Sequence, residues 1–260
     1  MEFTTIKTER DGAAYVITLN RPERRNAISI QAMDELIAAA RTAEGDAGVF
    51  GVIITGGEQY FSAGADLNDA LAISSSSEGV EYFRRWHRLN ATLEGLAKPV
   101  IAAIEGFCVT GGCELALACD IRVAAEGSSF GITSSRIGTV PGAGGTQRLP
   151  RVVGAAKALE MLFSADSIDA AEAYRIGLVN RLVPRGRALA EAKSMVAVYA
   201  QRAPLSLAWD KRAVYQGLQM DLASGIELET FLVSTIYTTN DRKEGISAFL
   251  EKRKASFKGN

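Results

Sequence analysis

Four short apolar segments constrain the fold of this 260-residue chain most strongly. They occupy residues 13–20, 49–56, 99–106 and 120–126. Runs of this length, rich in β-branched residues, are typical of buried strands and are far too short to span a bilayer. Segments with helical spacing of apolar residues lie between them, at residues 29–46, 79–95 and 111–119. This alternation predicts an α/β core.

The pattern changes after the fourth apolar segment. Residues 130–154 are rich in glycine, and we expect them to be irregular. From about residue 155 onward the spacing is helical, over residues 155–163, 169–175, 187–202, 205–217, 222–238 and 241–253. The last third of the chain is therefore predicted to be a helical region attached to the α/β core.

Composition and charge exclude several classes of protein. Hydrophobic residues make up 47% of the chain and the formal net charge is -1, so nothing indicates binding to nucleic acid or to a membrane. The N-terminal sequence shows no secretion signal, and we expect a cytoplasmic protein. Cys108, Cys113 and Cys119 lie in apolar surroundings and are predicted to be buried, and with His87 as the single histidine we expect no metal site.

Two small-residue loops follow predicted strands, "FSAGADL" at residues 61–67 and "VTGGCEL" at residues 109–115. Small side chains let a ligand approach backbone N–H groups, and two such groups aimed at one point form an oxyanion hole. The same composition also suits tight turns with no function. Neither loop matches a phosphate-binding loop, and "PGAGGT" at residues 141–146 does not match the dinucleotide fingerprint.

Glu114 is the residue in these loops that needs an explanation. It follows two glycines within a long apolar stretch. Burying an unpaired carboxylate is costly, so either a partner satisfies it or the site uses its altered affinity for protons.

The sequence resembles the enoyl-CoA hydratase/isomerase family, also called the crotonase family, over about residues 3–258. The motifs that carry the resemblance are "ITLNRPERRNAIS", "FSAGADL", "KPVIAAIEGFCVTGGCELALACDIRVA", "FGITSSRIGTVPGAGGTQRLPRVVG" and "TTNDRKEGISAFLEKRKASF". The resemblance implies a spiral of β-β-α units over residues 1–200. It also implies a helical C-terminal trimerisation region over residues 201–260, which forms a homotrimer or homohexamer.

The resemblance further implies an acyl-CoA thioester as substrate, with coenzyme A as part of that substrate and no separate cofactor. At matching positions, the amides of Ala65 and Gly111 would form the oxyanion hole, and Glu114 would be the first of two catalytic carboxylates. The remaining residues implied to bind substrate are Arg24, Ala63, Asp66 and Leu67. Asp66 would orient the loop rather than transfer protons.

Ser134 is where the chain departs from the family pattern. Hydratases of the family carry their second glutamate at this position, whereas this chain reads "FGITS". A serine hydroxyl forms hydrogen bonds but is a poor proton donor without an adjacent base. The aspartate that some relatives carry eight residues further along is also missing, because this chain has Gly142 there.

Three hypotheses about function remain open at this stage. The favoured one is an enoyl-CoA hydratase that uses Glu114 as its single carboxylate. The second is another enolate reaction on acyl-CoA, such as isomerisation, decarboxylation or C–C cleavage. The third is a binder of acyl-CoA with little activity. His87, on the helix that borders the acyl pocket in the family, is conceivable as a catalytic group but is more simply structural.

Overall fold

The structure, a computed structural model, describes residues 3–260. Its strands are β1 (Ile6–Asp11), β2 (Ala14–Leu19), β3 (Gly51–Thr55), β4 (Val100–Ile104), β5 (Phe107–Val109), β6 (Ile121–Ala125), β7 (Ser129–Gly131), β8 (Ile168–Asp169) and β9 (Arg181–Val183). Its helices are α1 (Ile30–Gly45), α2 (Leu67–Leu71), α3 (Ser76–Gly95), α4 (Gly111–Leu117), α5 (Gly145–Val153), α6 (Ala155–Ser164), α7 (Ala170–Arg175), α8 (Ala188–Tyr199), α9 (Pro204–Gly217), α10 (Leu222–Ile236) and α11 (Asn240–Leu250). Short 3₁₀ turns occupy Pro22–Arg24 and Ser134–Ile137.

Two sheets form the core. The larger sheet has the strand order β1-β2-β3-β4-β6-β9, and every neighbouring pair in it is parallel except β1 with β2. The smaller sheet has the order β5-β7-β8. Strands β4 and β6 lie in the larger sheet, whereas the strands that directly follow them, β5 and β7, lie in the smaller one. Successive strand pairs therefore step along both sheets together, as a spiral of β-β-α units requires.

The central strands of the larger sheet are buried on both faces. Val52 and Ile54 of β3 pack into a cluster with α1, α3 and α4, whereas Ile53 faces a second cluster that includes Val196 of α8. Strands buried on both faces are apolar at nearly every position, which is why these segments were recognisable in the sequence. Ser29 caps the N-terminus of α1 as predicted, because its hydroxyl accepts a hydrogen bond from Ala32 N at 3.2 Å.

The prediction that residues 130–154 are irregular was wrong for α5. This helix contains Pro150 and begins after Gly144, so its intrinsic helix propensity is low. Packing against α4 and α6, with Leu149 fully buried, overrides that propensity. Strand β1 was not predicted either, because its edge position leaves only Ile6 buried among mostly charged residues.

The C-terminal helices are joined to the core by one polar cluster. The Lys211 ammonium lies 2.9 Å from the Asp120 carboxylate, and the Tyr215 hydroxyl donates a hydrogen bond to the same carboxylate at 2.9 Å. The predicted division between residues 1–200 and 201–260 stays a prediction, although α8 ends at Tyr199 and α9 begins at Pro204. No helix within residues 3–260 has the length and apolar character needed to cross a membrane.

Candidate active site

The site lies where the chain leaves β3 of the larger sheet and β5 of the smaller sheet. Ligands of open α/β sheets commonly bind at the carboxyl ends of strands. Two buried polar side chains fix the loop after β3. The Asn26 amide donates to the Gly56 and Phe61 carbonyls at 2.9 and 3.2 Å, and the Ser62 hydroxyl donates to the Asn26 carbonyl at 2.7 Å. These bonds hold the "FSAGADL" loop against the end of the sheet.

The two small-residue loops meet at Ala65 and Gly111. A Cβ placed on Gly111 would lie 3.0 Å from the Ala65 nitrogen, and one placed on Gly64 would lie 3.1 Å from the Gly111 nitrogen. Gly64 also has φ of +102°, a conformation that other residues rarely adopt. Glycine is therefore required at both positions for the loops to approach so closely.

The amides of Ala65 and Gly111 are both free. Neither donates a hydrogen bond to any group of residues 3–260, and both residues line the same cavity. Gly111 is the first residue of α4, where a helix leaves its N–H groups unpaired. Two free N–H donors side by side can stabilise negative charge on an oxygen atom between them.

Glu114 lies on the first turn of α4 and is 3% exposed. Its Oε1 atom accepts hydrogen bonds from the amides of Ala143 and Gly145, both at 2.8 Å. Its Oε2 atom makes no hydrogen bond within the described chain, and the residue lines the cavity. Burial raises the pKa of Glu114, while the two amides and the nearby Arg148 charge partly oppose that rise. The carboxylate is thus held by one oxygen and has the other available for a ligand.

Contacts from other elements fix the segment that holds Glu114. The Asn90 side chain of α3 donates to the Ala143 carbonyl at 2.7 Å, and Arg148 donates to the same carbonyl at 3.2 Å. Arg148 is in turn paired with Glu94, with N–O distances of 2.5 and 2.8 Å. The two partners of Glu114 therefore lie just before α5 and at its first residue, and side chains of α3 and α5 hold that segment in place.

A cavity of about 710 Å³ opens onto these groups, and we call it the main cavity. Its walls come from the loop after β3, from α2 and α3, from the start of α4, and from the segment before α5. The described residues that line it are mostly apolar, and Glu114 is the one carboxylate among them. A mixed pocket of this kind suits an apolar group that carries one reactive polar centre.

Ser134, at the position of the family's second glutamate, lines the main cavity and is 3% exposed. Its hydroxyl makes no hydrogen bond to any described residue and is therefore available to a ligand or to water. Beside it, the Thr133 and Thr110 hydroxyls lie 2.8 Å apart. Thr110 has φ of +48°, a strained conformation for a β-branched residue, immediately before Gly111.

The sequence profile of the enoyl-CoA hydratase/isomerase family matches residues 9–260. The chain belongs to this family. It is 38% identical over 255 residues to the short-chain-enoyl-CoA hydratase of Clostridium acetobutylicum, covering 98% of this chain and 97% of that one. It is 39% identical over 258 residues to the crotonyl-CoA hydratase of Syntrophomonas wolfei, covering 99% of both chains.

Solved structures agree with these matches. The enoyl-CoA hydratase of Bacillus anthracis superposes with a TM-score of 0.94 at 36% identity, covering 99% of this chain and 100% of that one. An enoyl-CoA hydratase from Polaromonas gives a TM-score of 0.93 at 32% identity, covering 97% of this chain and 99% of that one. The predicted family, the crotonase-like fold class and the interpretation as an enzyme of the hydratase type are confirmed.

The structure separates the predicted residues of this family member into two groups. Those that line the main cavity are Ala63, Ala65, Leu67, Gly111, Glu114 and Ser134. Asp66 lies outside the lining. It pairs with Arg21 at 2.8 Å and accepts a hydrogen bond from Asn68 N at 3.0 Å. Burial raises the pKa of Asp66, but these bonds and the Arg21 charge outweigh it and lower the pKa overall. Its contacts agree with the orienting role expected for it.

Arg24 and His87 also lie outside the cavity lining. Arg24 is exposed on the 3₁₀ turn, two residues before Asn26. His87 is exposed on the outer side of α3, whereas Trp86, which the sequence did not single out as a site residue, contacts the position of a Gly111 Cβ at 3.0 Å. A catalytic His87 is therefore not supported by its position.

Gly142, which stands where some family members carry an acidic residue, packs directly against α3. A Cβ at this position would overlap the Phe83 ring of α3. No side chain can be placed at residue 142 until Phe83 moves.

The contact between Gly145 and Glu114 gives a test of the site's architecture. A Cβ on Gly145 would lie 2.9 Å from Glu114 Oε1, so Gly145→Ala forces the buried carboxylate away from its amides. We expect a loss of about 1–3 kcal/mol in the free energy of unfolding, the usual cost of overpacking a buried site. Denaturant unfolding measures this change.

Gly45→Ala is the matched control, because a Cβ on Gly45, the last residue of α1, meets nothing within 4 Å. We expect its stability to be unchanged or raised by up to about 1 kcal/mol, since alanine is the better helix former. Equal stability of the two variants would contradict the proposed tight packing around Glu114.

Proposed function

We propose that this protein adds water to the double bond of 2-enoyl-CoA thioesters, with Glu114 as the single carboxylate. One observation carries the proposal. Glu114 is fixed through one oxygen by two amides, and it lines the same cavity as the free N–H groups of Ala65 and Gly111. The names of the family relatives support the same reaction.

The amides of Ala65 and Gly111 would accept the thioester carbonyl oxygen. When water attacks the β-carbon, electrons move onto this oxygen and form an enolate, whose negative charge the two N–H groups stabilise. Stabilisation of this kind favours the transition state over the ground state, because the charge develops during the reaction.

Glu114 would take the proton of the attacking water. A general base works best when its pKa lies close to the working pH, and burial raises the pKa of Glu114 in that direction. Ser134 would orient the water by a hydrogen bond. The enolate is then protonated at the α-carbon by the Glu114 carboxyl or by solvent, so that one water molecule has been added in total.

Isomerisation, a shift of the double bond along the acyl chain of an enoyl-CoA thioester, is the second candidate function. Among the described residues around the main cavity there is one carboxylate, and one carboxylate suffices to remove a proton from one carbon and return it to another. This reaction would use the same enolate and the same two amides. Product analysis distinguishes it from hydration.

Arg24 would contact the phosphates of coenzyme A from the rim of the site. The backbone of its turn is tied to the cavity wall, since Ala63 N donates to the Arg25 carbonyl at 3.0 Å. Both arginines are exposed and therefore free to meet an anion. The absence of a separate cofactor and a location in the cytoplasm both stay predictions from the sequence.

Two substitutions test the single-carboxylate mechanism. Glu114→Gln keeps the shape of the side chain but removes the base, so the rate of crotonyl-CoA hydration should fall about 100- to 10,000-fold. Ser134→Glu places a second carboxylate at the family position and should raise the rate. Steady-state hydration of crotonyl-CoA measures both effects.

Ser135→Glu is the matched control, because Ser135 lies on the same 3₁₀ turn but is exposed and outside the cavity lining. We expect it to hydrate at the wild-type rate. If Ser134→Glu binds substrate normally but hydrates crotonyl-CoA no faster, and Glu114→Gln retains full activity, the proposed single-carboxylate mechanism is wrong.

The oligomeric state is also a proposal, namely a homotrimer or homohexamer formed through the C-terminal helices. The support is a set of large apolar side chains left exposed over residues 204–250, which hold α9 to α11, among them Leu218, Leu222, Phe231, Phe249 and Leu250. Exposed apolar surface of this extent is typical of an interface. Light scattering should give three or six times the chain mass of 27.7 kDa, and a particle of 27.7 kDa would contradict the proposal.

A further inference from the structure

A second cavity of about 400 Å³, a groove open to solvent, lies beside the main cavity, between the start of α1, the end of α2 and the first turns of α3. Ile30, Ala72 and Ser77 line it and have no part in the main cavity. Two residues line both cavities, Ile73 and Tyr82. These two side chains therefore form the wall between the cavities, which we call the partition.

The partition lies on the acyl side of the proposed reaction centre. Trp86 of α3 touches the position of a Gly111 Cβ and so lies beside the proposed oxyanion hole. Tyr82 is one helical turn before Trp86 on the same face, about 6 Å along the axis of α3. A chain that extends from a thioester carbonyl at Gly111 along α3 reaches the partition after its first carbons.

The partition contains an unsatisfied polar group. The Tyr82 side chain is 5% exposed, and its hydroxyl is buried without a hydrogen-bond partner in the described chain. Trp86 makes only a weak polar contact with it, outside hydrogen-bond geometry. A buried hydroxyl without a partner disfavours the conformation that buries it. Displacement of Tyr82 toward the second cavity, which contains Ser77 and Glu81, would give the hydroxyl a partner.

The second cavity suits the end of an aliphatic chain. Ile30, Ala72 and Ile73 give it apolar walls, but charged residues line it as well, namely Asp69, Glu78, Glu81 and Arg85. Each of these charged groups already has a partner in the described chain. Asp69 accepts a hydrogen bond from the Ile30 amide at 2.8 Å and Glu78 accepts one from the Ser74 amide at 2.8 Å. Glu81 pairs with Arg84 at 2.7 Å, and Arg85 pairs with Asp34 at 3.4 Å.

We propose that Ile73 and Tyr82 determine the acyl length that the enzyme accepts. Short enoyl groups end at the partition, and longer aliphatic chains must displace it to enter the second cavity. This inference rests on the proposed acyl-CoA site, and it assigns that site to short-chain 2-enoyl-CoA thioesters.

Binding of saturated thioesters tests the partition separately from the chemistry, because these ligands cannot react. We would titrate the full chain with butyryl-CoA and octanoyl-CoA by calorimetry. The wild type should bind octanoyl-CoA no more tightly than butyryl-CoA. Ile73→Ala should raise the affinity for octanoyl-CoA about tenfold or more and leave that for butyryl-CoA within about twofold, since each buried methylene contributes about a factor of four.

Two further variants make the result specific. Ala72→Met, added to Ile73→Ala, fills the second cavity and should abolish the gain for octanoyl-CoA, because Ala72 lines that cavity alone. Val80→Ala is the control for removing an aliphatic side chain close to the partition, since Val80 lies on the first turns of α3, is 48% exposed and lines neither cavity. It should bind both ligands as the wild type does. Thermal unfolding confirms that each variant is folded.

The outcomes separate the partition from the proposed function. If Ile73→Ala changes both affinities by the same factor, or if Ala72→Met leaves the gain in octanoyl-CoA affinity intact, the partition does not determine acyl length, although the site still binds acyl-CoA. If both thioesters bind as expected to the wild type and to the variants but crotonyl-CoA is not hydrated, the role of the partition in acyl length is supported and the proposed reaction is wrong. A wild-type chain that binds neither thioester overturns both.

Discussion

The two hydrogen bonds from the Ala143 and Gly145 amides to Glu114 are the interaction on which the rest of the site depends. A carboxylate that is 3% exposed would otherwise be protonated or displaced. These bonds require the turn before α5 to lie against α4, and the Asn90 and Arg148 side chains hold that turn in place. The fold therefore fixes the carboxylate in position before any substrate arrives, at the cost of bringing three distant segments together.

The second constraint is the approach of two backbone segments at Ala65 and Gly111. Their free amides are useful only if no side chain separates them, which explains the glycines at residues 64 and 111. A parallel bridge between Ser62 and Cys108 joins the two segments just before Ala65 and Gly111, so backbone hydrogen bonds set the distance between them. A site that is preorganised in this way need not reorganise when charge develops on the substrate oxygen.

Much of the sheet and of the candidate site was predictable from the sequence, because the relevant signals are local. Buried parallel strands are apolar at almost every position, so the strands of the larger sheet that are buried on both faces were recognisable, whereas the charged edge strand β1 was not. The loops at Ala65 and Gly111 were recognisable by composition and by resemblance. The partners of Glu114 were not, because they lie 29 and 31 residues away and act through backbone amides that any residue except proline carries. Tyr82 and Ile73 gave no signal either, since a wall between two cavities is a property of packing alone.

Hydration of crotonyl-CoA in water enriched in ¹⁸O tests the central claim most directly. Mass spectrometry of the intact thioester product shows whether an oxygen atom from water has been added to the acyl group. The account predicts that the wild-type protein forms a 3-hydroxyacyl-CoA that carries one ¹⁸O atom in its new hydroxyl group. An intact thioester without ¹⁸O, whether unchanged or with its double bond moved, would contradict it.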